Sequence, residues 1–136
     1  MEQATRYLPA LGRVLIGAPL MLSGLGKLAA HDATVGYISS VGLPLPQLGW
    51  LVAIVVELGG GALLIPGYRA RVVALALALF ALAAAVFFHR DFADQNQMIH
   101  FLKNMMLAGG LLQIVHFGAG PMSIDARAAS RTPVSA

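Results

Sequence analysis

The stretch from Leu48 to Pro66 is apolar except for one carboxylate, Glu57. If this stretch is a membrane helix that begins near Gln47, a rise of about 1.5 Å per residue places Glu57 about 15 Å deep. That depth is the midplane of a hydrocarbon layer about 30 Å thick. A carboxyl group there costs several kcal/mol unless it is neutral, paired or hydrated. Other polar side chains are therefore expected to pair with Glu57, or to donate hydrogen bonds to it, inside a helical bundle.

The composition favours a membrane fold. Of the 136 residues, 58% are hydrophobic and 11% are charged, whereas soluble domains are about 25% charged. Long apolar runs predict helices rather than a barrel. We therefore predict an all-α integral membrane four-helix bundle in a single transmembrane domain, residues 1–136. The predicted spans are about 8–28, 47–65, 72–88 and 98–117, with a short interfacial helix at 33–41 and a frayed polar tail at 123–136.

Four spans place both termini on one side of the membrane. That side, with the turn between the second and third spans, carries five basic residues, and the opposite side carries two. The positive-inside rule then predicts cytoplasmic termini, with the 31–47 and 89–97 loops facing outward. The two sets are Arg6, Arg69, Arg71, Arg127 and Arg131, against Lys27 and Arg90.

The first two spans offer partners for Glu57. Arg13 and Lys27 lie fourteen residues apart, so they share nearly one helix face. Each side chain can extend to the nearer membrane interface, or Arg13 can turn inward and neutralise Glu57, since buried charges in bundles usually pair. The Gly59–Gly61 run favours close helix packing and also leaves room for a ligand or water beside the carboxylate.

The last span carries His100, Lys103 and Asn104, which the i, i+3 and i+4 spacing places on one face. With Lys27 and His89 they fall in the outer half, above Glu57. This set predicts a pocket for a small polar or anionic group, a quinone head group or a proton relay. The four histidines include no pair at i, i+4, so no metal site is predicted.

Several segments along residues 8 to 127 form a recognisable set. They are Arg13-Val-Leu-Ile-Gly17, Ser23-Gly24-Leu-Gly-Lys27-Leu28, Gly42-Leu-Pro44, Glu57-Leu-Gly-Gly60, His89, Phe101-Leu-Lys103-Asn104-Met-Met-Leu-Ala-Gly109-Gly110 and Gly118-Ala-Gly-Pro-Met-Ser123-Ile-Asp125. This set resembles the signatures of the DoxX family. The resemblance implies a four-helix bacterial inner-membrane protein. Relatives in that family include membrane subunits associated with thiosulfate:quinone oxidoreduction and members tied to oxidative-stress complexes.

The leading functional hypothesis is a quinone-interacting, redox-associated membrane subunit. In it Lys103, His100 and His89 hydrogen-bond a quinone carbonyl, and Glu57 carries the proton. The candidate catalytic residues are Glu57, Lys103 and His100, and the candidate ligand-binding residues are Arg13, Lys27, His89 and Asn104. The absence of cysteine excludes a thiol-based redox role.

Two other functions stay open: a non-catalytic membrane partner or assembly factor, and a small-solute or proton transporter, which four spans would allow only as a dimer. The expected partners are membrane lipid and a soluble or membrane redox protein, and a homo-oligomer is also open. No nucleic-acid partner is expected, because the chain has no basic stripe.

Overall fold

The computed structural model describes residues 2–131, and for residues 2 and 3 it describes the backbone alone. Four of its helices are long and apolar enough to cross a membrane, and the described part contains no strand, so the all-α four-span prediction is confirmed. We call the end of the bundle where the described residues begin and end the terminal end, and the other the loop end. The helices are α1 (Glu2–Ala29), α2 (His31–Ser40), α3 (Pro46–Leu64), α4 (Ala70–Phe88), α5 (Gln95–Phe117) and α6 (Ile124–Ala129).

The densest packing joins α4 to α5. Alanines on one face of α4 are almost fully buried, among them Ala74, Ala78 and Ala81. Small side chains let membrane helices approach closely, because lipid gives no hydrophobic force between them. Leu77 and Leu111 fill the space between these two helices and the rest of the bundle.

Close approach of α3 to α1 and to α4 depends on glycine. A Cβ atom at Gly61 would lie 2.7 Å from the carbonyl oxygen of Gly17, and one at Gly60 would lie 2.7 Å from Leu77 Cδ2. The predicted tight packing is therefore confirmed at these two positions of the glycine run. Gly59, in contrast, faces open space.

The predicted frayed tail is wrong for residues 123–129, where Ser123 caps α6 and α6 docks on the turn between α3 and α4. The Asp125 carboxylate accepts hydrogen bonds from the backbone N–H groups of Arg69 and Ala70 at 2.7 and 2.8 Å. It thereby satisfies free donors at the start of α4. Gly67 has a φ of +73°, and a side chain there would collide with Ser123. Residues 132–136 of the predicted tail lie outside the described residues.

Helix α2 confirms that a short helix forms near residues 33–41, while its interfacial position stays a prediction; it lies against the loop end of α3. Its buried Ile38 packs at Gly49. The hydroxyl of Tyr37 donates a hydrogen bond to the carbonyl oxygen of Phe88 at 3.0 Å, which ties α2 to the end of α4. These contacts place α2 over one side of the cavity described next.

Candidate functional site

An ion pair between α1 and α3 forms the centre of the site. The Lys27 ammonium lies 2.9 and 3.0 Å from the two oxygens of Glu57. Lys27 also donates to the Ser23 hydroxyl at 2.7 Å, and Ser23 is 3.3 Å from Glu57 Oε1. Glu57 is only 5% exposed. Lys27 and Ser23, one helical turn apart on α1, thus offset the predicted free-energy cost of burying the Glu57 carboxylate.

The backbone around Glu57 is adapted to this pairing. Residues Val55–Gly59 form a π-helical turn inside α3. Such turns insert an extra residue into an α-helix and are frequent at functional sites. Opposite, a Cβ atom at Gly24 would lie 3.2 Å from Glu57 Cβ. The missing side chain lets the two helices approach closely beside the pair.

A cavity of about 550 Å³ opens beside the ion pair, between α1, α3, α4 and α5 and under α2. Most of its wall is apolar. Its polar wall consists of Ser23, Lys27, Thr34, Glu57, His89, His100 and Asn104, with the Tyr37 ring nearby, and its other aromatic residues are Phe80, Phe87 and Phe88. The structure therefore brings together Glu57, Lys27, His89, His100 and Asn104 from the predicted set.

Two histidines stack at the loop end of the cavity. The ring centroids of His89 and His100 are 5.0 Å apart, with the planes inclined by 27°. His89 follows the last residue of α4, and its pKa is lowered by burial and then by the nearby charges of His100 and Lys27. Neutral His89 is therefore favoured. An imidazole in that form can donate or accept a hydrogen bond.

Asn104 is the polar group best placed for a ligand. It lines the cavity one helical turn beyond His100, and its side chain has no hydrogen-bond partner among residues 2–131. Asn104 is half-buried, and no fully buried side-chain N or O atom of the described residues lacks a partner. The amide is therefore open to a bound molecule or water inside the cavity.

Lys103 does not line the cavity, contrary to the predicted shared face. It is exposed, whereas His100 and Asn104 line the wall. A step of three residues turns an α-helix by about 300°, which leaves a lateral offset of about 60°. That offset is enough to turn Lys103 out of the lining of the cavity. Its predicted contact with a ligand carbonyl stays a prediction.

Arg13 does not pair with Glu57, and this prediction is wrong. Its guanidinium, 2% exposed, lies at the terminal end and donates to backbone carbonyls. The acceptors are Leu64 at 3.1 Å, Ile65 at 3.3 Å, Met122 at 2.6 Å and Ala119. Arg13 therefore closes the end of α3 and anchors the segment before α6. Its role is structural in this fold.

Ser23 is a site residue that the sequence argument missed. Its spacing of four residues from Lys27 was a usable signal, because i and i+4 side chains meet on a helix. In the described part of the chain, no group of three histidine, cysteine, aspartate or glutamate side chains is arranged to hold a metal ion.

Comparisons with known proteins agree with this architecture. The DoxX family model matches residues 8–90. Inner membrane protein YqjF of Escherichia coli (strain K12) is 32% identical over 117 residues, covering 85% of this chain and 87% of that protein. Inner membrane protein YphA of the same organism is 31% identical over 123 residues, covering 86% and 87%. No solved structure gives a significant match. With four apolar helices and these relatives, the chain is a multi-pass inner membrane protein that belongs to the DoxX family.

Proposed function

We propose that this protein is a membrane subunit that binds a quinone head group in the cavity beside Glu57 and serves a quinone-linked oxidoreductase. One observation carries the proposal. One largely apolar cavity is lined by a neutralised ion pair, a free asparagine amide and aromatic rings. Ligand pockets have this character, mostly apolar with a few placed polar groups.

The size and charge of the cavity suit a neutral ring. Pockets of about 300–1,000 Å³ hold drug-sized molecules, and this one measures about 550 Å³. Lys27 and Glu57 cancel each other's charge, which favours a neutral ligand over an anion. The ammonium of Lys27 and the amide of Asn104 are hydrogen-bond donors. A quinone offers carbonyl oxygens as acceptors, and Phe87 and Phe88 offer apolar ring surface.

Proton delivery is the second part of the proposal. Reduction of a quinone to a quinol takes up two electrons and two protons. A redox partner protein supplies the electrons. We assign the proton transfer to Glu57, acting through Lys27 and Ser23, and to His100 at the loop end. The contacts of Glu57 with Lys27 and Ser23 and the stacking of His100 on His89 support this assignment. Catalysis by proton transfer requires such a group within hydrogen-bond reach, directly or through one water.

The test is equilibrium binding of a soluble short-chain ubiquinone analogue to the protein in lipid nanodiscs. Asn104→Leu removes the free amide at similar size and is expected to weaken binding about ten-fold, the value of one good hydrogen bond. Gln113→Leu is the matched control, an exposed amide on the same helix away from the cavity. It should bind as the wild type does.

Equal binding by wild type and Asn104→Leu, or no binding by either, would contradict the proposal. The polar groups would then act only as contacts between helices. In that case the alternative of a non-catalytic partner or assembly factor would be favoured, because the Lys27–Glu57 pair already joins α1 to α3.

A further inference from the structure

We infer that the cavity opens sideways to the lipid between α1 and α5, and that the apolar tail of a membrane-dissolved quinone lies in this opening. The inference rests on the proposed function and deepens it, because it names a tailed, lipid-soluble ligand. Helix α1 packs on α3, and α5 packs on α4, but α1 and α5 share no extensive backbone contact. These two helices nevertheless form facing walls of one cavity.

In the terminal half, side chains close the space between the two helices. Ile16 of α1 reaches Gly110 of α5, where a Cβ atom would lie 3.8 Å from Ile16 Cδ1. Leu20 and Leu111 belong to the same buried cluster. The floor of the cavity is therefore sealed toward the terminal end.

In the loop half the same sides of the two helices are open. Ser23 follows Ile16 by seven residues, so it lies on nearly the same side of α1. Ser23 and His100 line the cavity and are both exposed. An opening at this level that is continuous with the proposed binding site accounts for this exposure.

Gly26 and Lys103 mark the two edges of the opening. Gly26 lies about 60° of helix rotation from Ser23, on the side away from α3, and a Cβ atom there would meet nothing within 4 Å. Lys103 precedes Gly110 by seven residues and so lies on the side of α5 that faces α1. It is exposed, which its position at the edge of the cavity wall explains.

The surface beside the opening suits an apolar chain. Met106 on α5 lies about 40° of helix rotation from Gly110, on the side next to the gap, and is 68% exposed. The pair at the cavity centre is neutral, so a head group without net charge is favoured there. A neutral head in the cavity and an apolar tail in the gap are the two halves of a membrane quinone.

The experiment uses the absence of cysteine in the chain. A nitroxide attached through Asn104→Cys reports the surroundings of the cavity in nanodiscs, with oxygen as the lipid-soluble collider and a nickel chelate as the water-soluble one. We expect collisions mainly with oxygen. Gly26→Phe should remove most of them by blocking the gap. Gly109→Phe, a glycine of α5 with open space around it, should leave them unchanged.

A second arm compares a decyl-tailed quinone with its tail-less head, each corrected for partition into lipid, in chains that keep Asn104. Gly26→Phe is expected to weaken binding of the tailed quinone about ten-fold and to leave the tail-less head unaffected. The proposed opening would be contradicted, even if quinone binds, by a nitroxide that collides with the nickel chelate alone. It would also be contradicted if Gly26→Phe left the rate of collision with oxygen unchanged. Oxygen access with no quinone binding would overturn the proposed function and support the opening.

Discussion

Lys27 of α1 and Glu57 of α3 are paired through both carboxylate oxygens, at 3.0 and 2.9 Å, yet they are buried to different degrees. The side chain of Lys27 is 31% exposed and that of Glu57 is 7% exposed. Lys27 stands in the last turn of α1, within reach of the loop-end interface, whereas Glu57 has no route out. Loss of the ion pair therefore leaves Glu57 buried without a partner, whereas Lys27 can still reach the interface.

This inequality predicts an asymmetric loss of stability. Lys27→Met leaves a buried carboxylate without a cation and is expected to cost about 3 kcal/mol. Glu57→Gln frees a lysine that can extend to the interface, so we expect about 1 kcal/mol. Unfolding in bicelles measures both, and the double variant should be more stable than Lys27→Met alone. Equal costs for the two single variants would contradict the account of the pair.

Arg13 is predicted to be a structural residue whose geometry lysine cannot reproduce. Its planar fork donates to the carbonyls of Leu64, Ile65, Ala119 and Met122. Arg13→Met should destabilise the fold by about 3 kcal/mol, since several buried carbonyls lose a charged donor. Arg13→Lys should recover only part, because an ammonium is a point donor. Exposed Arg6→Lys is the control and should be neutral. Full recovery by Arg13→Lys would show that charge alone matters there.

The sequence was informative where a single side chain stood out against an apolar background. Glu57 was identified because its depth follows from helix rise, and His100 with Asn104 because their spacing of four keeps them on one face. Arg13 could not be assigned in the same way. Its acceptors are backbone carbonyls, more than a hundred residues away for Met122, and such carbonyls carry no sequence signal.

Small rotations and local backbone features were also beyond the sequence. Lys103 lies three residues after His100 and is nevertheless absent from the lining of the cavity. Nothing in the residues of α3 predicted the π-helical turn that contains Glu57. The docking of α6 depends on Asp125 meeting the start of α4, a contact between segments far apart in the chain. The prediction of cytoplasmic termini stays a prediction.

Two histidines are predicted to give opposite dependences of stability on pH. Burial, then His100 and Lys27, lower the pKa of His89 below its ordinary value of 6.5. The unfolded chain then takes up a proton first as the pH falls, so stability decreases from about pH 6.5 down to the folded pKa. The hydrogen bonds to Asp32 and then to Gln47 raise the pKa of His31. Its contribution is complete below pH 6.5 and is lost as the pH rises through the folded pKa.

Unfolding between pH 5 and 8 separates these contributions by substitution. His89→Gln should reduce the loss of stability on the acid side, and His31→Gln should reduce the loss on the alkaline side. The same change of slope in both variants would contradict the assigned environments.

The most direct measurement of the central claim is the amount of quinone that stays with the protein after gentle extraction from its membrane, by quantitative mass spectrometry. The account predicts close to one quinone per wild-type chain and per Gln113→Leu chain, and a clear loss from Asn104→Leu at equal yield of folded protein. Wild-type protein without quinone, or Asn104→Leu with as much as the wild type, would contradict it.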